Sequence, residues 1–259
     1  MRAAVQRFGH HTHIAIPAMS VLLVWAAIAA FRLVDPILLP APWSVARALV
    51  PLTHDRMFGD VALTMARVLG ALVIACVIGI PAGLFLGYRR RWYQALEGPL
   101  NALRSLPASA LFPLLLIVIG VGQGSIVALA AYPSTLVILV NTVSGAALAN
   151  KRRLYQARLF ELSAYETISE ILFYEALPNI FDGIRTAVSY AMVLVIAVEM
   201  LVGLGERGLG RAIYEYQATY RIPEMYAAVI IAGVIGILLN AIVNRAQSRM
   251  LRWLPNAHE

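Results

Sequence analysis

The chain is short of charge. Only 14% of its 259 residues are Asp, Glu, Lys or Arg, while 60% are hydrophobic; a soluble domain carries about a quarter charged residues. Too few charges remain to coat a globule of this length, and lipid is the solvent that fits. Cysteine is nearly absent. Cys76 stands alone inside an apolar run, which excludes an intramolecular disulfide and leaves a small packing residue. The five histidines (His10, His11, His13, His54 and His258) all fall outside the long apolar runs. That argues against an intramembrane zinc site or a Ser–His hydrolase, so no metal ligands and no catalytic residues are expected. No G-x-x-x-x-G-K-[ST] loop occurs, so nucleotide binding by that route is excluded. A net charge of +7 and a pI near 9.9 would suit a nucleic-acid partner, but the basic residues cluster briefly between apolar runs, as membrane topology requires. No nucleic-acid partner is expected.

What is present is a series of uncharged stretches, each near the roughly 20 residues that a helix rising about 1.5 Å per residue needs to cross the hydrocarbon core. The alternation of a membrane β-barrel is missing. The expected fold class is an all-α polytopic membrane protein of about six transmembrane helices, at 14–31, 64–88, 101–120, 125–148, 183–204 and 225–247. Together they make a domain over 14–252, between a cytoplasmic segment at 1–13 and a cytoplasmic tail at 253–259. The first run follows Arg2 and Arg7 but exceeds the roughly 7–15 residues of a signal-peptide core, so it reads as a retained anchor. Residues 105–150 carry no charge, too long for one span and right for two. Gly120-Val121-Gly122-Gln123-Gly124 supplies the turn, and Pro133 predicts a kink in the fourth helix. Residues 99–113 and 205–223 read as frayed or re-entrant. Glu199 is the one charge inside a run.

Orientation follows from Lys and Arg, which concentrate in short cytoplasmic loops. With the N-terminus inside, 14 fall inside and 7 outside, together the 21 present; both termini are expected to be cytoplasmic. The segment 151–182 is then cytoplasmic. Leu159, Leu162, Ile168, Ile171 and Leu172 recur at helical spacing among Glu161, Glu166, Glu170 and Glu175, which predicts one or two amphipathic helices. An acidic face suits a protein partner better than the negative inner leaflet.

Several motifs, in order, resemble the permease subunit of the nitrate/sulfonate/taurine/bicarbonate-type ABC importer family. Pro36-Ile37-Leu38-Leu39-Pro40-Ala41-Pro42-Trp43-Ser44-Val45 is similar to its external P-x-x-L-P-x-P-x-x-V segment. Gly79-Ile80-Pro81-Ala82-Gly83 with Gly87 resembles G-I-P-x-G-x-x-x-G, and Arg104-Ser105-Leu106-Pro107 with Ala110 and Pro113-Leu114 resembles R-P-x-P-x-x-A-x-x-P-L. Pro133 and Asn141-Thr142-Val143-Ser144-Gly145, Ala176-Leu177-Pro178-Asn179-Ile180 with Gly183-Ile184-Arg185, Glu199, and Gly208-Leu209-Gly210 complete the series. The fit is poorest in the family's cytoplasmic loop, E-A-A-x-x-x-G followed by I-x-L-P. Register puts Tyr155-Gln156-Ala157 at the EAA positions and Glu161 at the glycine. Only Ala157, Arg158 and Ile171 conform. A Glu there must either continue the helix or be strained, so a single longer helix, a different docking or an unusual ATPase partner is expected.

The resemblance implies a bundle of type I importer permease character with cytoplasmic coupling helices. Its expected partners are ABC ATPase subunits, a second permease copy (identical or homologous), a periplasmic or lipid-anchored solute-binding protein, and membrane lipid. No cofactor is expected on this chain; ATP and Mg belong to the ATPase. Tyr155, Ala157, Arg158, Glu161, Leu162, Ala164, Tyr165, Ile168 and Ile171 would couple to the ATPase. Pro40, Pro42, Gly208 and Gly210 would face the binding protein. Pathway or gating groups would be Arg104, Ser105, Asn141, Thr142, Ser144, Ser189 and Glu199, with Asn101. For the Ser, Thr and Asn residues the alternative is helix–helix hydrogen bonding. For Arg104 and Arg185 it is snorkelling to headgroups. Glu199 reads as structural or gating, pairing with Arg207 or Arg211 near the outer interface. Gly79, Gly83, Gly120, Gly145 and Gly233 would let helices approach closely. The rival function, an ion-gradient-driven transporter, needs more intramembrane charge than Glu199 alone; a non-transporting scaffold subunit is the third reading.

Overall fold

The computed structural model describes residues 17, 19–52, 57–201 and 207–252. Every described element is a helix: α1 (Met19–Ala30), then α2 (Pro42–Leu52), α3 (Met57–Tyr88), α4 (Arg90–Ser105), α5 (Phe112–Ile119), α6 (Gln123–Ala147), α7 (Lys151–Leu159), α8 (Ala164–Glu166), α9 (Phe173–Leu201), α10 (Leu209–Ala218) and α11 (Ile222–Met250). A 3-10 turn, Ala108–Leu111, leads into α5, and a π-helical stretch, Thr167–Leu172, joins α8 to α9. The chain divides into two units, Met1–Gly59 with Ala212–Ile231, and Asp60–Arg211 with Ala232–Glu259.

In the first unit α1 ends in a tight reversal. Leu33 N–H donates to the Ile28 carbonyl at 3.1 Å and Arg32 N–H to Ala29 at 3.3 Å, the paired bonds of a Schellman motif, with Arg32 at φ 50° in the left-handed position. The proline-rich segment that follows is pinned by aromatics. Trp25 Nε1 donates to the Pro40 carbonyl at 3.0 Å and Tyr226 Oη to Leu38 at 3.1 Å. The two rings sit 6.3 Å apart.

The second unit holds the main core. Val68, Ala71, Leu72 and Ala75 of α3, Ile126, Leu129, Ala130 and Ile138 of α6, and Ala187, Val188, Ala191, Val195 and Val198 of α9 form one buried cluster with Leu239 of α11. Glycine allows α6 to sit against both neighbours. A Cβ built at Gly83 would lie 2.7 Å from the Leu139 carbonyl and 2.6 Å from Thr142 Cβ. On the other flank one at Gly145 would lie 2.9 Å from Ala176 Cα, and one at Gly183 2.9 Å from Asn141 Cβ. Backbones at such distances gain dispersion contacts that a side chain would forbid. Gly79 is similarly tight, but Gly120 and Gly233 have nothing within 4 Å; Gly120 instead serves the turn, at φ 93°. The most apolar window of α6 is 56% buried and that of α11 only 22%, so α6 is the most and α11 the least buried of the long helices.

Among the described residues four helices are long and apolar enough to cross a membrane: α3, α6, the run Ala164–Leu201, and α11. The third expected span differs. Instead of one rod over 101–120, α4 and the following Ala108–Ile119 meet at 83°. Pro107 is the cause: it fixes its own φ at −62° and drives Leu106 into the extended region at φ −72°, ψ 125°. Helix α4 is polar enough to bury none of its residues. Of the first expected span, α1 is described and residues 14–16 and 18 lie outside the described residues, as do 202–204 at the end of the fifth.

Candidate functional site

Three places in the second unit carry polar chemistry: the segment between α6 and α9, a cavity beside the bend, and a buried ion pair at the end of α9.

The segment after α6 folds as two helices with a sharp corner. Asn150 caps α7, its side chain accepting from Arg152 N–H at 2.9 Å. At the other end Leu162 N–H reaches Ala157 at 2.9 Å and Glu161 N–H reaches Arg158 at 3.2 Å, closing a Schellman motif around Glu161 at φ 55°. Of the two outcomes expected for Glu161, a continued helix or a strained residue, the structure shows the second: Glu161 takes the left-handed conformation of the glycine it replaces, and the turn forms, which rules out the single longer helix. Ser163 then opens the next helix with a capping box, its Oγ accepting from Glu166 N–H at 3.2 Å while Glu166 accepts from Ser163 N–H at 2.7 Å. The Ser163 side chain and backbone bonds hold the Glu166 carboxyl below the ordinary glutamate range. Its capping contribution is therefore full above the ordinary carboxylate pKa and is lost as pH falls through the lowered one.

Of the residues expected to couple, Tyr155, Arg158, Glu161, Ala164 and Tyr165 are exposed. Ala157 is buried, while Leu162, Ile168 and Ile171 are half-buried; Ile168 packs on the Leu84, Ala146 and Leu172 cluster. Sequence reasoning missed Phe160, which is 77% exposed beside Tyr155, Leu159 and Tyr165 at 62%, 64% and 79%. Its signal was an aromatic residue next to the predicted turn.

At the bend, Asn101, Arg104, Ser105, Ser109, Tyr132 and Tyr190 supply the polar lining of a 640 Å³ cavity, and Leu136, Val137, Val193 and Leu194 part of its apolar wall. The size is that of a small-molecule site. Tyr132 Oη donates to the Leu103 carbonyl at 2.7 Å and Ser105 Oγ to Asn101 at 2.9 Å. Arg104 makes no ion pair or hydrogen bond among the described residues, and no carboxylate lines the cavity. The structure thus brings Asn101, Arg104 and Ser105 together and leaves other expected pathway groups elsewhere. Asn141, Thr142 and Ser144 bond back to carbonyls one turn earlier, Val137, Ile138 and Val140, at 2.9, 2.7 and 2.9 Å. Asn141 and Thr142 sit at the glycine crossings, and Ser144 and Ser189 are exposed.

Glu199 is 2% exposed, and its cation is Arg67, with Nη1 to Oε1 at 2.6 Å. Thr64 Oγ1 donates to the carboxylate at 2.9 Å and Gly210 N–H at 2.8 Å. Arg67 also donates to the Arg207 carbonyl at 2.9 Å and, through Nε, to Gln123. The expected pairing with Arg207 is corrected in detail: Arg207 gives this cluster its backbone and points its guanidinium at Asp60, 3.2 Å away. Gly208 and Gly210, expected at the binding-protein contact, are buried against Glu199 instead. A Cβ at either would fall 2.6 Å from Glu199 Cδ or 2.7 Å from its Cβ. Pro40 is likewise buried and Pro42 half-buried. Arg67 was missed as a core residue, although Thr64, Arg67, Val68, Ala71 and Ala75 share one helical stripe.

The chain matches the family described as "Binding-protein-dependent transport system inner membrane component" over residues 79–254, more than half its length. It is 24% identical over 255 residues to SsuC of Bacillus subtilis, an aliphatic sulfonates transport permease protein by name, covering 98% of this chain and 91% of that one. It is 27% identical over 215 residues to the nitrate import permease protein NrtB of a Synechocystis species, covering 79% and 78%. The taurine transport system permease protein TauC of Escherichia coli is 24% identical over 247 residues, covering 93% and 89%. An inward-facing structure of the MetNI methionine ABC transporter superposes with a TM-score of 0.63 at 19% identity, covering 80% of this chain and 99% of that one, a likeness of fold. The chain belongs to the binding-protein-dependent transport system inner membrane components: it is the multi-pass, non-enzymatic permease subunit of an ATP-driven importer, working with a separate ATPase and a solute-binding protein.

Proposed function

We propose that the chain forms the pathway for a small anion of the sulfonate, nitrate or taurine kind, by alternating access. The observation that carries the solute class is the cavity at the bend. It offers one unpaired guanidinium, five hydroxyl or amide side chains near it and an apolar wall, with no carboxylate to repel an anion. The names of SsuC, NrtB and TauC point the same way. A second permease copy, identical or homologous, completes the pathway. Both termini lie on the cytoplasmic side, where Tyr155, Leu159, Phe160 and Tyr165 meet the ATPase. ATP and Mg bind that subunit, and this chain carries no cofactor. A periplasmic or lipid-anchored binding protein delivers the solute on the opposite face.

The test is reconstitution of the complex with its binding protein in vesicles. Uptake should require ATP, and sulfonates, nitrate and taurine should be screened as solutes. Arg104→Gln should lower uptake at subsaturating solute by about tenfold, the worth of one charge-assisted bond, with the basal ATPase rate retained. Uptake that persists without ATP and collapses with the proton gradient overturns the reading.

A further inference from the structure

At one end of α9 and α11 a guanidinium donor is left without an acceptor. Arg185 Nη2 donates to Gln247 of α11, and Nη1 reaches Asp182 at a long 3.4 Å. Its Nε–H is buried and bonded to nothing. Arginine carries five donors and no acceptor; with Nε closed off, the outward Nη groups of a side chain that is 41% exposed and held by one long carboxylate contact are the donors that can take an anionic acceptor from outside the chain.

The cleft is there. Arg185, Ala241, Asn244, Arg245, Gln247 and Ser248 line a 590 Å³ space. No carboxylate lines it, and Arg245 and Asn244 make no side-chain bond among the described residues. Ser248 Oγ is directed at the Arg245 carbonyl, 3.0 Å away. Arg249 and Arg252 follow on the same helical stripe as Arg245. The site therefore gathers two guanidiniums against one weakly held carboxylate, with two more cations a turn or two beyond.

The surface above it says what the anion is attached to. Ile242, Leu238 and Ile237 of α11 are 63%, 56% and 70% exposed, one to two helical turns from Arg245. They belong to the least buried of the long apolar helices. A free oxyanion would satisfy the arginines and leave this apolar strip bare. A zwitterionic headgroup would bring an ammonium against the guanidiniums.

We propose that this cleft is a binding site for the phosphate headgroup of an anionic phospholipid, whose acyl chains lie along Ile242, Leu238 and Ile237. Arg185 and Arg245 bind the phosphate, Asn244 adds an amide donor, and Gln247 holds Arg185 in place.

The full-length permease in detergent is titrated with phosphatidylglycerol or phosphatidylcholine, and bound lipid is read by native mass spectrometry. Phosphatidylglycerol should be retained preferentially. Arg245→Gln should cut its retention about fivefold, the worth of one basic residue beside an anionic surface, and leave phosphatidylcholine unchanged. Arg245→Lys should lose less. Arg91→Gln, a basic residue elsewhere, should lose nothing. Equal retention of the two lipids overturns the proposal, as does an Arg245→Gln protein that keeps its preference. Displacement of phosphatidylglycerol by inorganic phosphate at equal concentration would reassign the cleft to a free oxyanion. A shift of Arg245→Gln from dimer to monomer with lipid retained would reassign it to a second copy of the chain.

Discussion

Among the described residues, three do what glycine usually does. Arg32, Glu161 and Tyr220 have φ of 50°, 55° and 56°, each at the left-handed position that closes a helix. The paired bonds recur at Tyr220, with Arg221 N–H to Tyr216 at 2.8 Å and Tyr220 N–H to Gln217 at 3.1 Å. An L-residue with a Cβ pays roughly 1–2 kcal/mol in this conformation. The Glu161 side chain is exposed and makes no bond among the described residues, so nothing offsets its strain. Glu161→Gly should therefore raise the stability, read as a higher thermal midpoint, by up to about 1 kcal/mol after the extra unfolded-state entropy of glycine is allowed for. Glu161→Ile should lower it by about 1–2 kcal/mol, because a β-branched side chain is worst at positive φ. Since the turn already exists, ATPase coupling should survive Glu161→Gly; a change in coupling would show that Glu161 itself recognises an unusual ATPase. The buried pair gives a second residue-scale outcome. Removing one partner strands the other charge. Arg67→Met or Glu199→Met should each destabilise by about 3–5 kcal/mol, and the double variant by less than either alone. Unfolding of the four proteins in detergent, read as a double-mutant cycle, checks this.

At the scale of elements the helix crossings make a sharper claim than helix content does. Gly83→Ala puts a methyl 2.7 Å from the Leu139 carbonyl, which is backbone and cannot swing aside. It should cost about 1–3 kcal/mol. Gly236→Ala, with nothing within 4 Å, should be neutral or mildly stabilising through helix propensity. Equal midpoints for the two variants would mean that α3 and α6 are not in backbone contact. The glycine spacing along α3 was readable before any coordinates, and so were the long helices, because lipid demands about 20 apolar residues in a row. Gly233 was not distinguishable from Gly83 by composition; only its partner helix decides whether a glycine is a contact. The bend at Pro107 was half legible. A Pro beside an apolar run signals a break, and residues 99–113 read as frayed or re-entrant, but no local pattern sets the 83° angle. Arg67 was hidden for another reason. Counting cations by loop assumes that they face water or headgroups, and one paired in the core violates that. Glu199 was visible as an intramembrane carboxylate; its partner lies 132 residues away in sequence, where no local pattern reaches.

For the whole molecule the question is how an ATPase finds a permease whose recognition loop departs from its family. The backbone answers part of it. The two-helix corner is kept by Glu161 in place of glycine, and the capping box at Ser163 and Glu166 fixes the start of the next helix. What the loop presents outward is aromatic: Tyr155, Phe160 and Tyr165 at 62%, 77% and 79% exposure, with Leu159 at 64%. Interfaces draw most of their energy from a few aromatic anchors that enter pockets on the partner. In a membrane protein a ring this exposed beyond the apolar span meets water, lipid headgroups or a partner, and the acidic residues of this segment favour the partner over an anionic leaflet. Phe160 is the sharpest probe, because among the described residues its side chain packs in no buried cluster and removing it should leave the permease intact. Phe160→Ala should weaken ATPase association at least tenfold, the loss of about 1.4 kcal/mol or more expected of an anchor, with an unchanged thermal midpoint for the permease alone. Leu159→Ala should act in the same direction and less strongly. Co-purification of the ATPase at graded concentrations, set beside the midpoint of each isolated variant, separates docking from folding. Full ATPase retention by Phe160→Ala would place the contact elsewhere on the segment, with Tyr165 at the start of the following helix the next residue to remove.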